Sequence, residues 1–186
     1  MRAFLALEVK NESTIKLIED LQKRLLQTGA DLKPVEPNNL HFTVKFFGEI
    51  SDALAMKIKS ALEQTKFKPL SLSYKGVGVF PRPQRISVVW VGVEEGCRDE
   101  LFYVANKVEE MLEGITPRDE RGFQPHVTVS RVKSSRSKDR LLALIKEHEH
   151  QDFGEETITS LKLKKSELTP KGPIYSDVYT FPFEVG

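Results

Sequence analysis

A four-residue pattern that occurs twice constrains this chain more than any other feature. The pattern His-apolar-Thr-Val stands at His41–Val44 and again at His126–Val129. Alternate side chains of a strand point to the same face, so each copy places His and Thr together and its two apolar side chains on the opposite face. A strand buried through its apolar face would therefore present imidazole and hydroxyl groups to a groove.

The segments around the two copies follow the same order. Apolar periodicity, capping residues and breakers predict strand, helix, strand, helix and strand in each half of the chain. An internal duplication explains this order, with approximate repeats at residues 1–80 and 85–186. The length of 186 residues fits one compact domain with two lobes.

Local patterns predict further elements whose bounds can be compared with the structure. Residues 31–39 are rich in Pro and Asn and predict a connector, whereas residues 125–132 predict the strand of the second motif. Residues 156–168 and 174–183 predict two closing strands. Asn11 or Ser13 is expected to cap the first helix.

Composition excludes several classes of protein. The 28 Lys and Arg residues against 27 Asp and Glu give a net charge of +1, which argues against bulk electrostatic capture of long duplex nucleic acid. No apolar stretch approaches the length of about 18 residues that a membrane span requires. The single cysteine, Cys97, cannot form an intramolecular disulfide. We therefore expect a cytoplasmic protein without a membrane span.

Candidate metal and cofactor sites are weak in this sequence. His148 and His150 stand two residues apart, and such a pair does not share a helix face, so a solvated helix end is the better interpretation. Gly76 and Gly78 lack the G-x-G-x-x-G pattern of a dinucleotide site and predict a bend or bulge. The sequence predicts no metal site and no cofactor.

The duplicated motif favours acid–base chemistry. If the two lobes pack about a pseudo-twofold axis, His41, Thr43, His126 and Thr128 would converge on one cleft. A neutral imidazole can take a proton from water while a protonated one gives a proton to a leaving oxygen, because imidazole has an ordinary pKa of about 6.5. The threonine hydroxyls can donate hydrogen bonds to phosphate oxygens. This set suits metal-independent cleavage of a phosphodiester.

Two segments, "NNLHFTVKFFGEI" and "QPHVTVSRV", resemble the signature motifs of the 2H phosphoesterase superfamily. The closest resemblance is to its RNA 2′,3′-cyclic phosphodiesterase branch, also called the 2′-5′ RNA ligase family. The likeness covers nearly the whole chain. It implies an α+β fold with two pseudo-symmetric lobes, each an antiparallel sheet backed by helices, around a central cleft.

The same resemblance implies roles for individual residues. His41 would be the proton donor and His126 the proton acceptor in hydrolysis of a 2′,3′-cyclic phosphate to a 2′-phosphate. Arg131, five positions beyond His126, would contact phosphate, although a continuing strand would turn it to the opposite face, so a bulge or turn is needed. Phe46, five positions beyond His41, stands at a position associated with base stacking.

The resemblance leaves two alternatives open. The first is a 2′-5′ RNA ligase that joins tRNA-half-like ends, with a 5′-hydroxyl in place of water. The second is a nucleotide- or RNA-binding module without turnover, which the intact His and Thr of both motifs disfavour. The expected partners are RNA ends with a 2′,3′-cyclic phosphate, tRNA fragments or nucleotides, bound by a monomer.

Overall fold

Two antiparallel sheets make up the framework of residues 1–184, which are the residues that the computed structural model describes. The nine strands in this range are β1 (Arg2–Glu8), β2 (Leu32–Pro34), β3 (His41–Glu49), β4 (Leu70–Arg82), β5 (Arg85–Val93), β6 (Val127–Val132), β7 (Asp152–Ile158), β8 (Ser160–Thr169) and β9 (Gly172–Pro182). Sheet A has the strand order β3-β1-β8-β9, and sheet B has the order β2-β6-β5-β4-β7. This arrangement confirms the predicted α+β fold class.

Four helices within residues 1–184 pack against the two sheets, namely α1 (Glu12–Gln27), α2 (Asp52–Glu63), α3 (Glu95–Met111) and α4 (Lys138–Glu147). Of the two predicted caps, Asn11 is the one that caps α1, and its side chain accepts a hydrogen bond from the Ser13 backbone N–H at 2.9 Å. The helix ends before Gly29, whose φ of 83° is readily adopted by glycine. No helix in residues 1–184 is both long and apolar enough to cross a bilayer.

The helices cover one face of each sheet and leave the opposite faces for the cleft. Helix α1 contacts β2, β6 and β7 of sheet B, and α4 contacts β4 of the same sheet. Helix α2 contacts β9, while α3 reaches both β3 and β4 and so joins the two sheets. The α1 face that packs inward is mainly apolar, with Ile18, Leu21 and Leu25 buried beside the polar Thr14 and Gln22.

Each sheet contains strands from both predicted repeats. Strand β8, late in the chain, pairs with β1, and β9 pairs with β8 to complete sheet A. The prediction of one strand over residues 156–168 was wrong, because Thr159 separates β7 from β8 at the point where the chain passes from sheet B to sheet A. The closing strand predicted over residues 174–183 corresponds to β9. The prediction of a plain connector over residues 31–39 was also incomplete, since it includes β2 and a 3₁₀ turn at Pro37–Asn39.

Candidate active site

Both copies of the duplicated motif line one cavity between the sheets. The cavity has a volume of about 700 Å³, and its walls include His41 and Thr43 from sheet A together with His126 and Thr128 from the sheet B side. His41 is the first residue of β3, and His126 immediately precedes β6, which begins at Val127 rather than at the predicted Pro125. The predicted convergence of the four side chains on one cleft is therefore present in the structure.

A bulge follows the threonine in each copy of the motif. In β3, Thr43 pairs with Ala6 and Lys45 pairs with Leu5, so Val44 is the extra residue. In β6, Thr128 pairs with Trp90 and Ser130 pairs with Val89, so Val129 is the extra residue. An extra residue reverses the alternation of the side chains that follow it.

The bulges bring a further residue of each motif into the cavity. Phe46 pairs with Phe4 in sheet A, and Arg131 pairs with Val88 in sheet B, which places each of them on the same face as its motif threonine. Both side chains line the cavity. The bulge that Arg131 requires is thus present, and Phe46 occupies the equivalent position in the other sheet.

The imidazole of His41 is anchored by its own strand and by the preceding turn. Its Nδ1–H donates to the Asn39 carbonyl at 2.6 Å, and its Nε2 lies 3.0 Å from the Thr43 hydroxyl. The aromatic rings of Phe4 and Tyr175 pack against it, with centroid distances of 5.2 and 5.6 Å. These contacts fix the tautomer and leave Nε2 beside the threonine.

The electrostatic environment of His41 contains opposing contributions. Burial lowers the pKa of His41 below its ordinary value of 6.5, and the nearby charges of Lys164 and Arg131 act in the same direction. The Asn39 carbonyl and the Glu8 carboxylate raise this pKa and offset part of the lowering. The anionic charge of a bound phosphate would favour the protonated imidazole further.

The imidazole of His126 has a different environment. Its Nδ1 is buried and has no hydrogen-bond partner among residues 1–184. The Trp90 indole packs against the imidazole at a centroid distance of 3.9 Å with a tilt of 31°, and Phe80 packs edge-on at 5.0 Å. Burial lowers the pKa of His126 to about 4, with a smaller contribution from the positive charge of Arg98. His126 is therefore neutral at pH 7.

A cycle of four charged side chains lies beside His41 on sheet A. Lys164 donates to Glu8 at 2.8 Å and to Asp177 at 2.9 Å, while Lys162 contacts the same two carboxylates at 2.7 and 2.8 Å. The two lysines share their acceptors, so each charge of the cycle has two opposite neighbours. Glu8 and Lys164, two members of this cycle, are among the charged groups that shift the pKa of His41.

Several cavity residues carry no signal in the sequence pattern. Tyr175 and Leu168 reach the cavity from the β8–β9 hairpin, and Arg121 and Gln124 reach it from the loop before His126. The guanidinium group of Arg2 lies 5.1 Å from the centroid of the Phe46 ring. Their participation depends on the pairing of β8 with β1 and on the course of a loop, neither of which local periodicity predicts.

The segment Ser130–Arg140, which follows the second motif, is basic, and a charge run of this kind predicts either a solvated loop or a surface that guides RNA toward the cleft. Arg136 donates to the Gly29 carbonyl at 2.9 Å, and Lys138 contacts the Gln84 carbonyl at 3.5 Å. Neither these two residues nor Lys133 lines the cavity. The structure therefore gives no direct support to the idea that this run guides RNA into the cleft.

Comparison with known proteins extends the sequence resemblance. A family model described as the AKAP7 2′5′ RNA ligase-like domain matches residues 3–183. A relative from Methanothermobacter thermautotrophicus, named RNA 2′,3′-cyclic phosphodiesterase, is 39% identical over 183 residues, which cover 97% of this chain and 98% of the relative. A protein of the same name from Archaeoglobus fulgidus is 38% identical over 181 residues, covering 97% of this chain and 99% of the relative.

Solved structures share the fold over nearly the whole chain. The crystal structure of TT0787 of Thermus thermophilus has a TM-score of 0.75 at 26% identity and covers 98% of both chains. The crystal structure of E. coli LigT complexed with 3′-AMP has a TM-score of 0.76 at 21% identity, covering 98% of this chain and 96% of LigT. At that identity the LigT likeness speaks for the fold alone. The full-length match to the family model and to the curated relatives shows that this chain belongs to the 2H phosphoesterase superfamily, in the family of the RNA 2′,3′-cyclic phosphodiesterases.

Proposed function

We propose that this chain hydrolyses the 2′,3′-cyclic phosphate at an RNA or nucleotide end to a 2′-phosphate, by metal-independent catalysis with two histidines. The observation that carries the proposal is the convergence of two identically bulged His-x-Thr-Val strands on one cavity. The names of the relatives from Methanothermobacter and Archaeoglobus support the substrate class. The role of each residue is inferred from its surroundings.

The surroundings of the two imidazoles favour His41 as the proton donor and His126 as the proton acceptor. The Asn39 carbonyl accepts from Nδ1 of His41 and stabilises the imidazolium form. His126 has no such acceptor among residues 1–184, and burial keeps it neutral. A general acid must be protonated and a general base unprotonated, so the carbonyl acceptor beside His41 favours the first role and the burial of His126 favours the second.

The proposed reaction is a single displacement at phosphorus. His126 takes a proton from water as the water oxygen forms a bond to phosphorus. The bond from phosphorus to the 3′ oxygen breaks, and His41 gives that oxygen a proton. The product keeps its phosphate on the 2′ oxygen, and the two histidines exchange protons with solvent to restore the starting state. No covalent enzyme intermediate is needed.

The other cavity residues would bind the substrate. Thr43 and Thr128 can donate hydroxyl hydrogen bonds to the non-bridging oxygens, and Arg131 can add a charge-assisted contact from the sheet B side. Phe46, which is 44% exposed, offers a ring face on which a base can stack. These contacts would place phosphorus between the two imidazoles.

The direct test measures turnover of 2′,3′-cyclic AMP and of an RNA that ends in a 2′,3′-cyclic phosphate. His41→Ala and His126→Ala should each lower kcat by about 100-fold or more, in the range usual for loss of a general acid or base. His150→Ala is the matched control, because His150 is 85% exposed and does not line the cavity. A near-normal rate in either motif variant contradicts the mechanism.

Two further measurements separate the parts of the proposal. Phosphorus NMR of the product should show a 2′-phosphate, and a 3′-phosphate would refute the assignment of the leaving oxygen. Prior treatment with EDTA should leave the rate unchanged, whereas strict dependence on added metal would point to another chemistry. Both measurements use the unmodified protein.

Ligation is the second candidate function, since the matching family model is described as 2′5′ RNA ligase-like. Ligation can use the same two imidazoles, because a 5′-hydroxyl end can replace water as the nucleophile while the 3′ oxygen again takes a proton and leaves. Incubation of cyclic-phosphate RNA with and without a 5′-hydroxyl partner strand distinguishes the two activities. A joined product that exceeds the hydrolysed product would make ligation the main reaction.

A further inference from the structure

The two motif imidazoles are held in different ways. Hydrogen bonds fix the ring of His41, whereas Nδ1 of His126 is buried without a partner among residues 1–184. His126 nevertheless lines the cavity beside Thr128. A ring without hydrogen bonds can rotate about its side-chain torsions unless neighbouring groups restrict it, so the contacts around His126 must supply that restriction.

Aromatic packing restricts the rotation of the His126 ring. The Trp90 indole lies against the imidazole with a centroid distance of 3.9 Å and an interplanar angle of 31°. Phe80 closes a second side at 5.0 Å with an angle of 72°. Nε1 of Trp90 is itself buried without a partner in the described residues. The indole therefore occupies this place although its only polar group is left unsatisfied there.

Two glycines make room for the indole. Gly78 is the cross-strand partner of Trp90, and a Cβ at Gly78 would lie 2.2 Å from Cζ2 of the indole. A Cβ at Gly92 would lie 3.1 Å from Cζ3 of Trp90 and 3.5 Å from Cδ2 of His126. Only a residue without a side chain at position 78 allows the indole to lie flat over β4 and reach the imidazole.

We propose that Trp90, seated on Gly78, is the positioning residue that fixes the ring plane of His126 and excludes water from Nδ1. This inference rests on the proposed function for its catalytic consequence. Trp90 does not itself touch the reacting atoms; it acts through His126. Gly78 in turn acts through Trp90, because it determines where the indole lies.

A positioning role for Trp90 predicts a change in the pKa of His126 when the indole is removed, which a merely structural role would not. Burial is the main cause that lowers the pKa of His126 to about 4, and the Arg98 charge is the smaller one. Removal of the indole would admit water beside the imidazole and raise the pKa of His126 toward 6.5. Arg98 remains in place in such a variant, so the change would report the loss of the indole alone.

The test combines NMR titration of the histidine rings with pH–rate profiles. Trp90→Leu should raise the pKa of His126 by at least one unit, move the acid limb of kcat/KM by the same amount and lower kcat at least 10-fold. Trp90→Phe keeps an aromatic face and should retain most of the rate. An unchanged pKa of His126 in Trp90→Leu overturns the proposal, whatever happens to the rate.

Gly78→Ala tests the same idea without deleting the indole. The new methyl group must displace the Trp90 ring, so this variant should also raise the pKa of His126 and lower kcat at least 10-fold. Gly96→Ala is the matched control, because a Cβ there meets no atom within 4 Å. A Gly78→Ala enzyme that titrates and turns over like Gly96→Ala contradicts the proposal.

The outcomes also distinguish this inference from the proposed function. The pKa of His126 is measured in the free protein and needs no activity. If His126→Ala retains the normal rate, the proposed function fails, while the effect of Trp90 on the titration can still be observed. If His126→Ala is inactive but Trp90→Leu leaves the titration unchanged, only the positioning role fails.

Discussion

The ion pair between Lys45 and Glu109 allows a sharp test of how sheet A is joined to α3. Lys45 follows the bulge of the first motif and is only 3% exposed, and its ammonium group donates to Glu109 and to the Pro117 carbonyl at 2.8 Å. Glu109→Ala removes the carboxylate and leaves the buried ammonium with the carbonyl alone. Breaking a buried pair in this way destabilises proteins by about 3–5 kcal/mol.

The structure favours the lower end of that range. Glu109 is 17% exposed, so water can approach the ammonium group once the carboxylate is gone. We expect a loss of about 3 kcal/mol in the free energy of unfolding. For a chain of this size that loss corresponds to a fall in Tm of about 6–12 °C. Folded domains have unfolding free energies of about 5–15 kcal/mol, so the variant should remain folded at 25 °C.

Urea denaturation followed by circular dichroism measures the change, with equal m values required for the comparison. Glu110→Ala is the matched control on the same helix, because Glu110 is 67% exposed and its contact with Lys107 spans 3.9 Å. That control should lose no more than about 0.5 kcal/mol. If the two variants differ by less than about 1 kcal/mol, the buried pair does not behave as a desolvated ion pair. A double variant Lys45→Met with Glu109→Leu should recover most of the loss.

Three further results are expected from the site. The kcat/KM profile should be bell-shaped with an acidic optimum, because burial lowers the pKa of His126 to about 4 and holds the pKa of His41 below 6.5. An optimum above pH 7 contradicts these roles. Between pH 4 and 6.5, His126 binds fewer protons in the folded protein than in the unfolded chain, so the free energy of unfolding falls as the pH falls through that range. The His126→Gln variant should recover about 1–2 kcal/mol at pH 4.5, after allowance for the partial exposure of the ring. Urea denaturation measures the difference. Arg131→Gln should raise KM for 2′,3′-cyclic AMP about 10-fold and leave the free energy of unfolding unchanged, since one exposed charge-assisted contact contributes about 1.5 kcal/mol. An unchanged KM would mean that Arg131 does not contact the substrate.

The sequence predicts the local elements of this fold better than their pairing. The cap at Asn11 and the closing strand predicted over residues 174–183 match the structure because they depend on neighbouring residues only. The exchange of β8 and β9 into sheet A depends on contacts between residues more than 150 positions apart along the chain, such as Arg2 with Ser166. No local pattern predicts this pairing. Apolar and charged residues continue without a break from β7 into β8, so the sequence does not show where the chain changes sheet.

The motif residues were accessible to sequence reasoning because their pattern of polar and apolar side chains is inverted relative to that of an ordinary core strand. Polar side chains at His41 and Thr43 with apolar side chains between and after them predict a face that lines a groove, and the second copy strengthens the prediction. Trp90 was not accessible, because an apolar residue in a strand predicts only burial. Its function-related position depends on Gly78 across the strand pair, and that register becomes visible only in the folded chain.

The two motifs are alike in sequence, yet the residues before them make their imidazoles chemically different. The carbonyl two residues before His41 belongs to Asn39 and accepts a hydrogen bond from the imidazole ring. The carbonyl two residues before His126 belongs to Gln124 and instead accepts from the His126 backbone N–H at 2.8 Å, across a one-residue turn at Pro125. The fixed φ of proline suits such a turn. A backbone carbonyl thus supports the protonated form of the first imidazole, whereas Nδ1 of the second has no such partner among residues 1–184. This difference is the one that the proposed acid and base roles require.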